Sequence, residues 1–272
     1  MAAKLQEAGI IDSALAFRID AHIQSKIEGL KAGEYQFLPH MSIMDVIALL
    51  QSGKTYQHKI TIPEGLMSVE IVNLLNKEPV LTGKIDPVPP EGSLLPETYK
   101  FSYGDTRQSV INRMKKSMRD TLDSLWQTRE PGYLLSQEET VVLASIVEKE
   151  TGIAAERPHI AAVFENRLRI GMRLQSDPTI IYGITQGYPL GRRIKQSEIE
   201  ARTPFNTYVI AGLPPQPICN PGKDSLAAVL NPADSRDLYF VADGTGGHVF
   251  ASNPEEQARN VAKWRRIHLQ KN

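Results

Sequence analysis

Between Glu78 and Glu91 the chain reads EPVLTGKIDPVPPE, and its four prolines forbid a continuous helix or a central strand there. The sequence is therefore divided into two pieces that must each build their own regular structure. Residues 81–91 read as a linker or irregular crossover. The piece before it, 1–80, predicts an N-terminal helix and a small βα module. The piece after it, 92–272, predicts a larger mixed domain. No apolar run in either piece approaches the ~18 residues of a membrane-spanning helix. The start, MAAKLQEAGIID, lacks the basic region and apolar stretch of a signal peptide.

In the first piece a helical stretch over 13–28 precedes two copies of one plan. Gly33-Glu34-Tyr35-Gln36-Phe37 alternates like a short strand, Ser42 caps a helix with apolar Ile43, Val46, Ile47 and Leu50, and Gly53 stops it. Then His58–Ile62 reads as a strand, Pro63-Glu64-Gly65 as a turn, and Ser68 as the cap of a helix carrying Ile71, Leu74 and Leu75. In the second piece a long amphipathic helix runs over about 107–127. The next begins at Ser136, which with Glu139 makes a capping box. Helices follow at 157–171, 195–201, 223–230 and 254–268. Strands are expected at 207–210, 237–242 and 247–251, the last two joined by the glycine-rich Asp243–Gly247. Strands and helices do not alternate regularly, so the fold class is α+β rather than a doubly wound sheet.

Charge and composition narrow the function. With 31 basic and 31 acidic residues the formal net charge is zero, which gives no general footprint for nucleic acid or an anionic membrane. The single Cys excludes a disulfide framework and a multi-Cys metal site, and the six His are scattered without ligand spacing, so no metal is expected. Asp243–His248 lacks the Gly-Lys-Ser/Thr ending of a phosphate loop, and no Gly-x-Ser-x-Gly elbow supports a serine triad. His248 beside the glycines reads as either a ligand contact or a local hydrogen bond in the hairpin. The Arg-rich RLRIGMRL at 167–174 reads as a helix end and a short amphipathic strand, not an anionic groove.

The most informative segment is SQEETVVLASIVEKETG, 136–152. At ~100° per residue, Leu143, Ile146 and Val147 form one apolar stripe. Glu150 falls on that stripe and Glu148 is turned away from it by more than a right angle. A carboxyl on a core-facing stripe is costly when ionised, and burial raises its pKa as a general acid requires. The alternative is a frayed helix end that leaves Glu150 in water. A second segment, TPFNTYVIAGLPPQPICNPG at 203–222, carries Asn206, Thr207, Tyr208, Gln216 and Asn220 among five prolines and two glycines. Its neutral amides and hydroxyls suit an N-acetylated sugar. Equally, they can satisfy the backbone of a rigid loop.

The blocks ASIVEKETG (144–152), FENRLRIGMRLQSDPTIIYGI (164–184), 203–222, DLYFVADGTGGHVFA (237–251) and LLPETYKF (94–101) resemble the YceG-like family, the endolytic murein transglycosylases. The resemblance implies a LysM-like module before an α+β catalytic domain, matching the βα unit of 1–80. It implies cleavage of the MurNAc–GlcNAc bond within nascent glycan strands, leaving 1,6-anhydro-MurNAc ends and terminating elongation. The catalytic acid carried over is Glu150, with Glu148 as the fallback. Glu97, Gln175, Asp177, Tyr182, Asn206, Tyr208 and Asn220 are candidates for supporting or substrate contacts. No cofactor is implied. The implied partners are peptidoglycan strands and cell-wall synthases. The implied location is the inner membrane, with the catalytic domain in the periplasm. The family's N-terminal anchor is not in this sequence, so the resemblance implies a truncation. Two alternatives compete: a hydrolytic muramidase in which Asp177 or Glu97 activates water, and a non-catalytic peptidoglycan-binding scaffold in which Glu150 is structural.

Overall fold

A computed structural model describes residues 1–23 and 29–271. The last five residues of the expected helix over 13–28 lie outside the described residues. The chain forms two compact units, and neither is one stretch of sequence.

The first unit comprises Met1–Ile60, Glu78–Lys84 and Tyr99–Val110. Helices α1 (Ala2–Glu7), α2 (Ala14–Ile23) and α3 (Ile43–Ser52) bury Leu5, Phe17, Val46, Ile47 and Leu50 together. The Ser42–Asp45 capping box starts α3, and Gly53 in the left-handed region ends it, as the sequence predicts. Strands β1 (His58–Thr61) and β2 (Thr98–Phe101) make a two-stranded sheet. The expected strand at 33–37 does not form. Those residues are extended without ladder partners, and only Tyr35 and Phe37 turn onto the helices.

The second unit comprises Thr61–Lys77, Ile85–Thr98 and Ile111–Asn272, and it holds the larger core. Helix α4 (Ser68–Lys77) starts one residue earlier than expected, so Ser68 lies inside it rather than capping it. Met67 N donates to Glu70 and Ser68 N to Glu91, so carboxylates cap this helix start. Helix α5 (Arg107–Trp126) leads to α6 (Gln137–Glu150), which begins at the Ser136–Glu139 capping box. Every residue of α6 from Thr140 to Val147 is buried, so this helix is enclosed on all sides rather than along one stripe. Ser145 shows how this is tolerated. Its hydroxyl donates to Val142 O and accepts from Ile218 N at 3.0 Å, pinning the 216–220 loop to the helix. Helices α7 (Arg157–Arg169), α8 (Asp177–Thr185), α9 (Gln196–Glu200) and α10 (Lys223–Leu230) follow, and α7 and α10 pack directly on α6. Strands β3 (Tyr239–Ala242) and β4 (His248–Ala251) pair as the expected antiparallel hairpin, with Phe240 opposite Phe250, and α11 (Pro254–Lys271) lies against it. Mixed helices with small sheets make the fold α+β.

Two expected strands are absent from this unit. Residues 207–210 form turns and 170–175 a loop, since neither segment meets a partner strand. A buried acid is also present that the sequence did not flag. Glu165 on α7 has its Oε1 buried with no hydrogen-bond partner among the described residues. Burial raises its pKa to about 7, the charge of Glu130 adds to this, and Arg169 opposes it. The folded pKa lies above the unfolded one. The stability contributed by protonation is therefore complete below about 4.5 and lost as pH rises through about 7. Water at the rest of the carboxyl screens part of the effect. Glu165→Gln should gain about 1 kcal/mol over the parent at pH 8.5 and almost nothing at pH 4.5 in urea melts. Equal gain at both pH values would contradict this.

Candidate active site

Glu150 is the last residue of α6, and the stripe that selected it is buried as expected: Leu143, Ile146 and Val147 are each 0 % exposed. Glu150 as a whole residue is partly buried, and its carboxyl is the enclosed part, since desolvation is the largest influence on it. Ser176 Oγ donates to Glu150 Oε1 at 2.5 Å. Burial raises the Glu150 pKa to about 7; the Ser176 bond lowers it, Asp177 raises it, and His248 and Arg167 lower it. Near neutral pH both proton states are therefore populated, which suits a group that must give a proton and take one back. The frayed-end alternative is not what the chain adopts.

The placement of Ser176 is set by a diverted cap. It is the N-cap of α8, yet its hydroxyl makes no capping bond and instead turns to Glu150, to which it donates. The helix start is held by other means: Pro178 in the first turn, Asp177 beside the helix N-terminus, and Ser176 N donating to Thr207 Oγ1 at 2.9 Å. Gln175 precedes it with φ of 51°, a conformation unfavourable for a residue with a Cβ, and Gln175 N donates to Thr207 O. Residues 175–176 are thus clamped to Thr207, and the clamp aims Ser176 at the acid.

Around this pair sit Asp177, Tyr208, Arg167 and His248. Tyr208 OH donates to Asp177 Oδ1 at 2.7 Å, and burial, then Asp177, push the phenol pKa up. Arg167 is 7 % exposed and donates to Leu238 O and Leu174 O, so the basic run of 167–174 does not line an anionic groove with it. Desolvation lowers the Arg167 pKa. His248 Nδ1 lies 2.8 Å from Glu156, whose carboxylate also accepts from His248 N and from Thr151, the residue after Glu150. The hairpin His therefore bonds outside its own hairpin, to Glu156, and also acts electrostatically on Glu150.

The other candidates are placed elsewhere. Glu148 is not solvent-facing: its side chain is 5 % exposed, it pairs with Arg157 at 3.2 Å, and it accepts from Gly222 N and Ser225 Oγ. Arg157 in turn reaches Glu64 at 2.9 Å and Asp224 at 3.5 Å. This ion cluster joins the start of α7, the start of α10 and the turn at 63–65. Asn206 is 1 % exposed, its amide nitrogen faces the carbonyls of Glu198, Ile199 and Ala201, and its oxygen accepts from Tyr208 N. Asn220 is fully buried and bonds Leu94 N, Leu66 O and Ser68 Oγ. Neither amide is open to a sugar. Both satisfy backbone, the second of the two readings the loop allowed. Tyr182 OH accepts from Gln216. Glu97 and Gln175 are exposed, and Glu97 is not among the groups acting on Glu150.

Known proteins resemble this chain in sequence and fold. A family model described as the YceG-like family matches residues 1–263. The chain is 32% identical over 308 aligned positions to the endolytic murein transglycosylase of Streptococcus pneumoniae (strain ATCC BAA-255 / R6), covering 95% of this chain and 55% of that protein. It is 30% identical over 296 positions to the protein of the same name in Bacillus subtilis (strain 168), covering 97% of this chain and 81% of that one. The chain thus spans about half the length of its pneumococcal relatives. A crystal structure of a YceG-like protein from Listeria monocytogenes matches with a TM-score of 0.58 at 30% identity, covering 95% of this chain and 94% of that one. A family match running nearly end to end, and relatives at this identity along almost the whole sequence, lead to one conclusion: the chain belongs to the YceG-like family.

Proposed function

We propose that this chain is an endolytic murein transglycosylase that cuts the MurNAc–GlcNAc bond inside glycan strands, with Glu150 as its general acid and base. The observation that carries the reading is a carboxyl at the end of α6 that one hydroxyl donor meets at 2.5 Å and that burial holds near neutrality. Protonated Glu150 gives its proton to the glycosidic oxygen as the bond from C1 to that oxygen breaks. The carboxylate left behind takes the proton of the MurNAc C6 hydroxyl as O6 bonds to C1. The product is a 1,6-anhydro end, no water is consumed, and the carboxyl returns to its starting state. Ser176 favours the ionised form that follows the first transfer. Tyr208 and Asp177 stand beside the developing positive charge at C1. The chemistry uses no metal or cofactor.

A hydrolytic reading is favoured by one observation: Asp177 is exposed beside Glu150 and anchored by Tyr208, and hydrolases use two carboxylates. Mass spectrometry of the ends released from nascent glycan separates the two, because hydrolysed ends are one water heavier. The transglycosylase reading expects anhydro ends only. Hydrolysed ends would transfer the role to the pair Glu150–Asp177.

We also propose that 1–80 carries a weak LysM-like glycan-binding role, that 81–91 is a linker, and that 92–272 does the chemistry. Residues 61–77 pack within the unit that bears Glu150, so the binding role would reside in 1–60. No helix among the described residues is long and apolar enough to cross a membrane. The family resemblance supports a periplasmic site of action reached through an anchor outside this sequence, next to cell-wall synthases.

A further inference from the structure

A cavity of about 460 Å³ opens beside the acid. Two of its lining residues are chain neighbours of the site: Lys149 precedes Glu150, and Pro178 follows Asp177. The rest of its wall is largely aromatic and aliphatic, with Met67, Tyr182 and Tyr188 prominent. Tyr188 lines the cavity and is 55 % exposed, so much of its ring is open to a ligand. The turn that carries it is fixed. Gln186 and Gly187 both have positive φ, and a Cβ on Gly187 would lie 2.8 Å from Met67 Sδ, so the loop presses on Met67 and holds Tyr188 at the rim.

The charges of the cavity are unequal in availability. Arg192 is engaged by both carboxylate oxygens of Glu198. Glu70 accepts from Met67 N at the start of α4. Lys149 makes one long contact, to Gly65 O at 3.3 Å, and no carboxylate among the described residues lies within ion-pairing distance of it. The cavity thus offers an apolar shelf with one uncommitted ammonium. GlcNAc has no anion to meet it, and MurNAc stripped of its stem has only the lactyl carboxylate on its ring, with no apolar residue beside it for the shelf. The peptide stem on MurNAc has both features required, alanine methyls and free carboxylates.

We propose that this cavity is a peptide-stem subsite, in which Lys149 pairs with a stem carboxylate and Tyr188 packs against the stem, so that the enzyme selects stem-bearing over stem-free glycan. This rests on the transglycosylase reading of Glu150. It makes Lys149 and Tyr188 specificity determinants rather than parts of the proton transfer.

The test compares glycan bearing stems with the same glycan after amidase removal of the stems. In Lys149→Met and Tyr188→Ala, checked for unchanged melting, the ratio of kcat/KM on stem-bearing to stem-free glycan should fall about tenfold, the worth of one charge-assisted contact. Lys149→Arg should keep most of the ratio. A ratio unchanged in both variants, or a wild-type ratio near one, overturns the subsite. A second arm uses Glu150→Gln, which binds with turnover slowed about 10²–10⁴-fold. It should bind stem-bearing glycan more tightly, and adding Lys149→Met should erase the difference. If the wild-type chain releases no fragments, the transglycosylase reading fails, while this binding arm still decides the subsite. Equal affinity for the two glycans refutes it.

Discussion

Glu150→Gln folds as the parent does, binds glycan, and releases fragments about 10²–10⁴-fold more slowly. Gln keeps the shape of the side chain and can still bond Ser176, but it cannot carry a proton in either direction. The effect lies in kcat, because the lost interaction exists only while bonds are changing. The pH profile of the wild-type chain follows from the same group. The first transfer needs the protonated carboxyl, so activity should fall as pH rises through about 7. Ser176→Ala removes a donor that favours the ionised form, so this limb should move to higher pH while the maximal rate drops less than in Glu150→Gln. A profile that stays in place would remove Ser176 from the acid. Near-normal turnover in Glu150→Gln, with loss in Glu148→Gln, would reverse the assignment of the two glutamates.

Arg157→Met has the largest expected effect on stability. Arg157 is 8 % exposed and stands among Glu148, Glu64 and Asp224. Removing it leaves Glu148, itself enclosed, without its cation. Breaking a buried pair from one side costs roughly 3–5 kcal/mol, whereas replacing both partners with apolar groups is often near neutral. At about 2–4 °C per kcal/mol for a domain of this size, melting should drop by roughly 6–20 °C. Adding Glu148→Met should recover much of it. A single variant that melts with the parent would show that Glu148 does not depend on Arg157. The contrast between the two acids is then physical: Glu148 ties the starts of α7 and α10 together, and Glu150 meets the Ser176 hydroxyl.

The position of Glu150 at the end of a buried helix was legible in the sequence because it depends on local rules. The Ser136–Glu139 box fixes where α6 starts, the spacing of Leu143, Ile146 and Val147 fixes its buried side, and Glu150 follows from both. What the period could not show is that α6 is enclosed on every side. Glu148 was therefore read only as off the stripe, and two of its three partners, Gly222 and Ser225, come from more than 70 residues along the chain. Ser176 was missed for a related reason. A Ser before Asp-Pro at a helix start reads as a cap, and nothing local says that its hydroxyl turns to a residue 26 positions away. The strands expected at 33–37 and 207–210 failed because alternation states a preference that only a neighbouring strand can satisfy. Asn206 and Asn220 show the limit for polar loops. An amide that binds a ligand and one that closes its own backbone have the same sequence, and only the fold reveals which.

The central claim is that one carboxyl completes the reaction without water as a reactant. Cleavage of nascent glycan in water enriched in ¹⁸O, followed by mass analysis of the new MurNAc ends, tests this most directly. The account predicts 1,6-anhydro ends with no ¹⁸O, formed by the wild-type chain and greatly reduced with Glu150→Gln. Reducing ends that carry ¹⁸O, formed at the wild-type rate, would contradict it.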